Sequence, residues 1–140
     1  MIVLDTNVLS EPLRAQPDEH VLAWLEELEE PVAITAVSVG ELLVGAERLP
    51  KGRRRDELLL AVEAVAAAFE DDVLPYDAAA ARRFATMHVA RRAAGHPLST
   101  EDGMIAAICA GHGARLATRN TRDFVGLGLV LVDPWAAERP

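Results

Sequence analysis

The sequence predicts an α/β fold, in which a parallel sheet of four to five strands is covered on both faces by helices. Short apolar runs alternate along the chain with longer segments of helical periodicity, and the connections between the apolar runs are long enough to hold helices. The chain has 140 residues, the size of one domain. We therefore expect a single domain over residues 1–140 with one functional site.

Five apolar segments are candidate strands. The first follows the initial methionine and has no polar residue, which is typical of a strand buried on both faces of a sheet. The third is weakened by Pro75, which has no amide proton for sheet pairing. The predicted strands are 2–4, 32–35, 73–76, 115–118 and 130–132.

The segments between the predicted strands have the periodicity of helices. One begins near Asn7, and the next, EHVLAWLEEL, is amphipathic and follows Pro17 and Asp18, which are typical of a helix N-terminus. The further predicted helices are 38–49, 55–69, a helix capped by Asp77 that runs to Gly95, and 101–113 with Ser99 or Thr100 as its cap.

Composition limits the classes of function. Asp and Glu outnumber Lys and Arg by 22 to 14, and the resulting net charge of −8 by itself argues against a nucleic-acid binder. The single cysteine, Cys109, has no partner for an internal disulfide, and no apolar run reaches the ~20 residues of a membrane span. We expect a cytoplasmic protein without a membrane segment. The four histidines lack the spacing of a zinc site.

Four acidic residues and one asparagine are predicted to meet at one edge of the sheet. Asp5 ends the first predicted strand, and Asn120 and Asp123 follow the fourth. Glu41 and Asp102 lie in the first turns of the helices that follow the second strand and precede the fourth. Because functional groups of parallel sheets gather beyond the carboxyl ends of the strands, we expect these side chains to converge.

Such a cluster predicts a bound cation, because like charges a few ångströms apart raise one another's pKa. Oxygen ligands without a nearby His or Cys favour Mg²⁺ or Mn²⁺. A metal that bridges the carboxylates and a phosphodiester neutralises the scissile group and supplies a hydroxide for attack. The negative net charge therefore no longer excludes nucleic acid as a partner.

Ordinary structural roles remain open for most of these residues. Glu41 stands three residues after Ser38, as in a capping box, where it would accept a hydrogen bond from the Ser38 backbone N–H. Asp102 suits the dipole of a helix N-terminus. Asp5 is different, because a lone carboxylate at the end of a buried strand needs a partner. The other residues that fit turns or caps are Asn7 and Asp123.

Four segments occur in the order and approximate spacing of a known family: LDTNVLSE, SVGELLVG, STEDGMIAA and LATRNTRDF. Together they resemble PIN domains, and most closely the VapC toxins of the FitB-like branch. The resemblance extends over nearly the whole chain, down to VDPW near its end. It implies a three-layer α/β/α fold and a Mg²⁺- or Mn²⁺-dependent endoribonuclease, the toxin of a type II toxin-antitoxin pair.

The same resemblance implies roles for individual residues. The family's first acidic ligand falls on Asp5, its glutamate on Glu41 and its third acid on Asp102. The fourth position is either Asn120 or Asp123. In this scheme Asp5 and Asp102 hold the ion, and Glu41 orients or deprotonates the attacking water. The polar residues expected to line the same edge and orient Asp5 are Thr6, Asn7 and Thr118.

RNA needs a cationic path to this edge. Arg119 and Arg122 flank position 120 and are the preferred phosphate contacts. The run KGRRR is predicted just before a helix N-terminus, where the helix dipole disfavours cations, and this placement hints at a binding role, with a solvated loop as the alternative. The further basic candidates are Arg14, Lys51, Arg53, Arg54, Arg55, Arg82, Arg83, Arg91 and Arg92.

Protein partners also follow from the resemblance. It implies a VapB-like antitoxin with a DNA-binding domain and a disordered tail that covers the site, in a groove formed by the helices 21–28 and 38–49. It further implies a homodimer and a higher toxin-antitoxin assembly.

Two alternatives remain. One is a degenerate PIN domain that binds RNA or a partner without cleavage. The other is a phosphohydrolase of the haloacid dehalogenase type, whose motif requires a second aspartate where this chain has Asn7.

Overall fold

The computed structural model describes residues 1–136, so residues 137–140 of the predicted domain lie outside the described residues. Its sheet has the strand order β3-β2-β1-β4-β5, and every neighbouring pair is parallel. The predicted parallel sheet is confirmed. The strands are β1 (Ile2–Leu4), β2 (Val32–Thr35), β3 (Val73–Leu74), β4 (Arg115–Ala117) and β5 (Leu131–Val132).

Seven α-helices and two short 3-10 turns connect the strands within residues 1–136. No helix there is long and apolar enough to cross a membrane. The helices are α1 (Thr6–Ser10), α2 (Glu19–Glu26), α3 (Ala36–Glu47), α4 (Arg53–Ala68), α5 (Ala78–Ala93), α6 (Thr100–Gly111) and α7 (Thr121–Phe124).

Successive residues of β1 point into two different cores. Ile2 and Leu4 pack on one face of the sheet with residues of α1, α3 and α4. Val3 packs on the other face with Ile105 and Cys109 of α6. Because alternate side chains of a strand point to opposite faces, this arrangement requires helices on both sides. The three-layer α/β/α architecture is thereby confirmed.

Several element boundaries differ from the predicted ones. Helix α3 begins two residues before the predicted start, because the Thr35 hydroxyl caps it by accepting a hydrogen bond from the Ser38 N–H (3.1 Å). Helix α4 begins at Arg53, so the three arginines of KGRRR form its first turn and do not precede it. Helix α7 was not predicted, since four residues are too short to show a periodicity.

An apolar groove of about 310 Å³ lies between α1, α2 and α4. Leu25 and Leu28 line one side, and Val65 and Phe69 line the other. Helix 38–49, which was predicted to form an antitoxin groove with helix 21–28, does not line this groove. The end of α4, and not α3, lines this groove together with Leu25 of α2.

Candidate metal centre

Asp5 is held rigidly at the carboxyl end of β1. Its backbone N–H donates to the carbonyl oxygen of Ala117 (2.9 Å), which continues the pairing with β4 by one residue. Its side chain is only 4% exposed and caps α1, with Oδ1 accepting from the Thr6 N–H (2.8 Å). Oδ2 accepts from the Thr118 hydroxyl (2.7 Å). Both carboxylate oxygens are therefore oriented by the ends of two neighbouring strands.

Asn7 joins this carboxylate to the loop after β4. Its Nδ2 lies 3.4 Å from Asp5 Oδ2 and 3.4 Å from Thr118 Oγ1. Its Oδ1 accepts a hydrogen bond from the backbone N–H of Arg119 (3.2 Å). The Thr118 hydroxyl in turn accepts from the backbone N–H of Asn120 (3.1 Å). The structure thus brings the predicted polar residues into direct contact with Asp5.

Glu41 faces the same edge from α3. It is the sixth residue of that helix, in the second turn and not in the predicted first turn. The Thr6 hydroxyl donates to Glu41 Oε1 (2.7 Å), and Ser38 Oγ lies 2.9 Å from the same hydroxyl. The capping-box interpretation is wrong. Because α3 begins at Ala36, the Ser38 N–H is bonded to the helix cap, and Glu41 stands too far along the helix to reach it.

Asp102 is the third residue of α6. Ser99, and not Thr100, caps this helix, with its hydroxyl accepting from the Asp102 N–H (3.2 Å). Gly103 lets α5 pack closely here, since a Cβ at this position would lie 2.7 Å from the ring of Phe84. The cap and this close packing together set the position of Asp102.

Asn120 and Asp123, which both follow β4, are the two candidates for the fourth acidic position of the site. Asp123 lines a small cavity of about 170 Å³ together with Asp102. The charge of Asp123 also raises the pKa values of Asp5 and Asp102. Asn120 is exposed and contributes its backbone N–H to Thr118. The geometry therefore includes Asp123 in the acidic group.

The environment of Asp5 disfavours its ionised form. Burial raises its pKa above the usual value, and the hydrogen bonds from Thr118 and Thr6 oppose that shift. The nearby charges of Glu41 and Asp123 raise the pKa further. A cation next to Asp5 would remove this penalty.

Glu41 and Asp102 are perturbed in the same direction. Burial is the main cause of the raised pKa of each, and the charges of neighbouring acids add to it. Asp102 and Glu101 act on Glu41, while Asp5, Asp123 and Glu101 act on Asp102. The predicted convergence of the carboxylates is visible in these mutual interactions.

The donor set fits a hard cation. Within the described part of the chain, no three His, Cys, Asp or Glu side chains already form a group that could hold a metal by themselves. Mg²⁺ does not require such a group, because it is commonly held by one or two carboxylates together with waters and substrate phosphates. Asp5 and Asp102 offer carboxylate oxygens whose charged form is disfavoured by burial and by neighbouring acids.

Basic side chains lie on two sides of the acidic edge. Arg14 and Arg54 line a groove of about 300 Å³ that also contains Thr6 and Glu41. On the other side, the exposed Arg119 follows β4, and its guanidinium carbon lies 5.0 Å from the centroid of the Trp135 ring. The second predicted phosphate contact, Arg122, is exposed on α7.

A family model for the PIN domain matches residues 2–127. The chain belongs to the PIN domain family. A relative from Sinorhizobium fredii, VapC ribonuclease Y4jK, is 39% identical over 137 residues, which cover 96% of this chain and 98% of the relative. Toxin FitB of Neisseria gonorrhoeae is 37% identical, with 96% of this chain and 99% of that protein covered. The solved structure of FitAB bound to an IR36 DNA fragment contains a chain with a TM-score of 0.91 and 36% identity, covering 99% of each chain.

Membership of the PIN family confirms the resemblance carried by the four sequence motifs. Membership of this family rules out the alternative of a haloacid dehalogenase. At the position where that family has its second aspartate, this chain has Asn7, whose side chain is hydrogen-bonded to the loop after β4.

Three residues contribute to this PIN domain site in roles that the sequence analysis did not assign to them. Glu101 adds negative charge next to Asp102, and its position directly before Asp102 in the sequence was the available signal. Ser38 supports Thr6 through its hydroxyl, and the Thr-x-x-Ser spacing after β2 was the available signal. Arg91 contacts residues 32 and 34 positions later, for which a single sequence carries no signal.

Proposed function

We propose that this PIN domain is a divalent-metal-dependent endoribonuclease and the toxin of a type II toxin-antitoxin pair. The convergence of Asp5, Glu41, Asp102 and Asp123 at the carboxyl ends of β1 and β4 carries the proposal. The relatives named VapC ribonuclease and Toxin FitB, which match almost the full chain, support it.

Asp5 and Asp102 are the residues that hold Mg²⁺ or Mn²⁺, directly or through water, and Asp123 provides the fourth group. When bound, the ion supplies charge neutralisation at the scissile phosphate and a bound water of lowered pKa. Asp5 needs no rearrangement for this role, since the Thr6 N–H and the Thr118 hydroxyl already fix both of its oxygens. Asp102 projects from the capped first turn of α6.

Glu41 is the base of the proposed reaction. The Thr6 hydroxyl binds its Oε1, which leaves Oε2 to accept a proton from the attacking water. The raised pKa of Glu41 makes it a better proton acceptor near neutral pH than an ordinary glutamate. Thr6 and Ser38 act by holding the carboxylate in one orientation.

The RNA backbone reaches the carboxylates between the two sets of arginines. Arg54 on the groove beside Glu41 and Arg119 and Arg122 after β4 offer the guanidinium groups that suit phosphate. Arg54 lies in the first turn of α4, where the positive end of the helix dipole is unfavourable for a cation. A phosphate bound there would interact favourably with both the guanidinium and the helix N-terminus.

The partner that we propose is a VapB-like DNA-binding antitoxin. The solved FitAB assembly is bound to DNA, and its chain of the same fold is 36% identical to this one. The apolar groove between α1, α2 and α4 is the surface that suits an apolar antitoxin segment. A homodimer and a higher toxin-antitoxin assembly also stay predictions.

The decisive experiment compares the unchanged chain with Asp5→Asn. We expect the unchanged chain to stop growth on induction and to cleave RNA in the presence of Mn²⁺ or Mg²⁺, with RNA ends mapped afterwards. Asp5→Asn is expected to lose cleavage by at least ~100-fold, as for removal of a directly acting group. Asp71→Asn, an exposed acid in a 3-10 turn, is the matched control. Equal cleavage by Asp5→Asn and the unchanged chain would overturn the proposal.

A PIN domain that binds RNA or a partner without cleavage is the second candidate. It is favoured by one observation, namely that no three acids within residues 1–136 form a complete metal-binding group. Growth arrest that persists in Asp5→Asn, together with RNA binding and no cleavage, would support this candidate over the first.

A further inference from the structure

Arg91 lies at the end of α5, where the chain turns sharply. Gly95 has a φ of +76°, and its N–H donates to the carbonyl of Arg92 (3.1 Å), while the His96 N–H donates to the carbonyl of Arg91 (3.0 Å). This pair of bonds is the Schellman arrangement that ends a helix at a glycine. The turn brings the His96 carbonyl back to the Arg91 side chain, whose Nε donates to it (2.8 Å).

The same guanidinium also binds α7. One terminal nitrogen donates to the backbone carbonyl of Asp123 (3.0 Å), and the other donates to the carbonyl of Val125. Helix α7 has only four residues and no side-chain cap at its start, so its own hydrogen bonds hold it weakly. Phe124, 1% exposed, anchors α7 to the core on one side. Arg91 is the second anchor, on the side of Asp123.

Arg91 therefore borders the space between two of the site carboxylates. The cavity of about 170 Å³ is lined by Asp102 and Asp123 and also by Arg91, Leu98 and Ser99. The guanidinium joins the turn that leads to Ser99, the cap of α6, with the helix that carries Asp123.

We infer that Arg91 is a positioning residue: it holds α7 so that Asp123 faces Asp102 across this cavity and both carboxylates can act on one divalent cation. The inference rests on the proposed function. It also changes the interpretation of Arg91, which the sequence grouped with the candidates for RNA contact. Only an arginine suits this role, because its planar group offers five N–H donors in a fixed fork, whereas a lysine ammonium cannot span three carbonyls in this geometry.

Titration of the full chain with Mn²⁺ alone, followed by calorimetry, tests the inference. We expect Arg91→Gln and Arg91→Lys each to weaken Mn²⁺ binding by about 10-fold, the lower range for residues that orient metal ligands. Arg92→Gln, at the exposed neighbouring position of the same helix, is the matched control and should bind as the unchanged chain does. In an Asp123→Asn background, Arg91→Gln should cause no further loss, because its effect acts through Asp123.

Amide hydrogen exchange gives a second readout that does not depend on metal. The amides of 121–126 should exchange faster in Arg91→Gln, while those of α6 beyond its first turn should be unchanged. Unchanged exchange, or Mn²⁺ binding by Arg91→Lys equal to that of the unchanged chain, would overturn the inference.

The failures of the two proposals can be told apart. If the unchanged chain binds Mn²⁺ through Asp5 and Arg91→Gln binds it equally well, only the role of Arg91 is wrong. If the unchanged chain does not bind Mn²⁺, the metal-dependent function and the role of Arg91 are both wrong.

Discussion

The hydroxyl of Thr118 donates a hydrogen bond of 2.7 Å to Oδ2 of Asp5, although the two residues are 113 positions apart in the chain. The bond joins the carboxyl ends of β1 and β4, which are neighbours in the sheet. It satisfies one oxygen of a buried carboxylate and lowers a pKa that burial otherwise raises. Thr118 therefore links the stability of the fold to the protonation state of Asp5, the proposed metal ligand.

Replacement of Thr118 by valine is expected to destabilise the protein by about 1 to 3 kcal/mol, since a buried carboxylate oxygen and the Asn120 N–H both lose their partner. The pKa of Asp5 should rise further, and Mn²⁺ binding at neutral pH should weaken. Urea denaturation and calorimetry measure the two effects. Thr118→Ser keeps the hydroxyl and is the control. A valine variant as stable as the serine variant would contradict this account.

The metal-free protein is expected to lose stability as the pH rises. The pKa values of Asp5, Glu41 and Asp102 are raised on folding, so the folded chain binds more protons than the unfolded chain between the usual values of 3.8 and 4.5 and the raised values of the folded state. These three groups therefore lower the free energy of unfolding as the pH rises through that window. Urea denaturation at a series of pH values without metal checks the slope.

Asp102→Asn is the informative variant for this pH dependence. It should reduce the dependence of the free energy of unfolding on pH. Without metal, it should also raise the free energy of unfolding at neutral pH by about 1 kcal/mol, because it removes a carboxylate whose charged form is disfavoured in the folded chain. Asp71→Asn should leave the slope unchanged, because Asp71 lies outside the acidic group. A free energy of unfolding that rises with pH in the unchanged chain would show that folding does not raise the pKa values of these carboxylates.

The arginines after β4 are expected to bind phosphates of the RNA. Arg119→Ala together with Arg122→Ala should weaken RNA binding and reduce the salt slope by about 0.7 for each phosphate of single-stranded RNA that an arginine no longer neutralises. Arg82→Ala together with Arg92→Ala removes the same charge from exposed positions on α5, at two of the less preferred basic candidates, and serves as the comparison. Binding measured over a range of salt concentrations decides the matter, and equal slopes for the two double variants would count against the assignment.

Gly103→Ala is expected to disturb both packing and the site. The added Cβ would lie 2.7 Å from the ring of Phe84, so either that ring or the start of α6 must shift, at a cost of about 1 to 3 kcal/mol. The shift should also reduce Mn²⁺ binding, since Asp102 is the preceding residue. Thermal denaturation measures the first effect.

Gly40→Ala is the matched control for this substitution. Gly40 lies within α3 with no neighbouring atom within 4 Å of the added Cβ, so alanine there should stabilise the protein by about 0.5 to 1 kcal/mol. A similar loss of stability in both variants would show that the contact with Phe84 is not the cause.

The sequence by itself determined the strands, their parallel arrangement and the acids at their ends. Ile2 to Leu4 form a strand because all three are apolar, and the helical connections between the strands favour parallel pairing, which needs such long crossovers. Asp5 and Asp102 were identifiable because one ends a buried strand and the other follows a Ser cap. These features depend on residues close together in the chain.

Tertiary structure alone decided the contacts between residues far apart in the chain. The bond from Thr6 to Glu41 replaced the predicted capping box, because Thr35 caps the helix and α3 begins at Ala36, two residues before the predicted start. The position of Asp123 near Asp5 and Asp102 depends on α7, whose four residues are held by Phe124 in the core and by Arg91 from α5. A local pattern cannot specify such bonds, since their geometry exists only after the sheet and both helical layers have packed together.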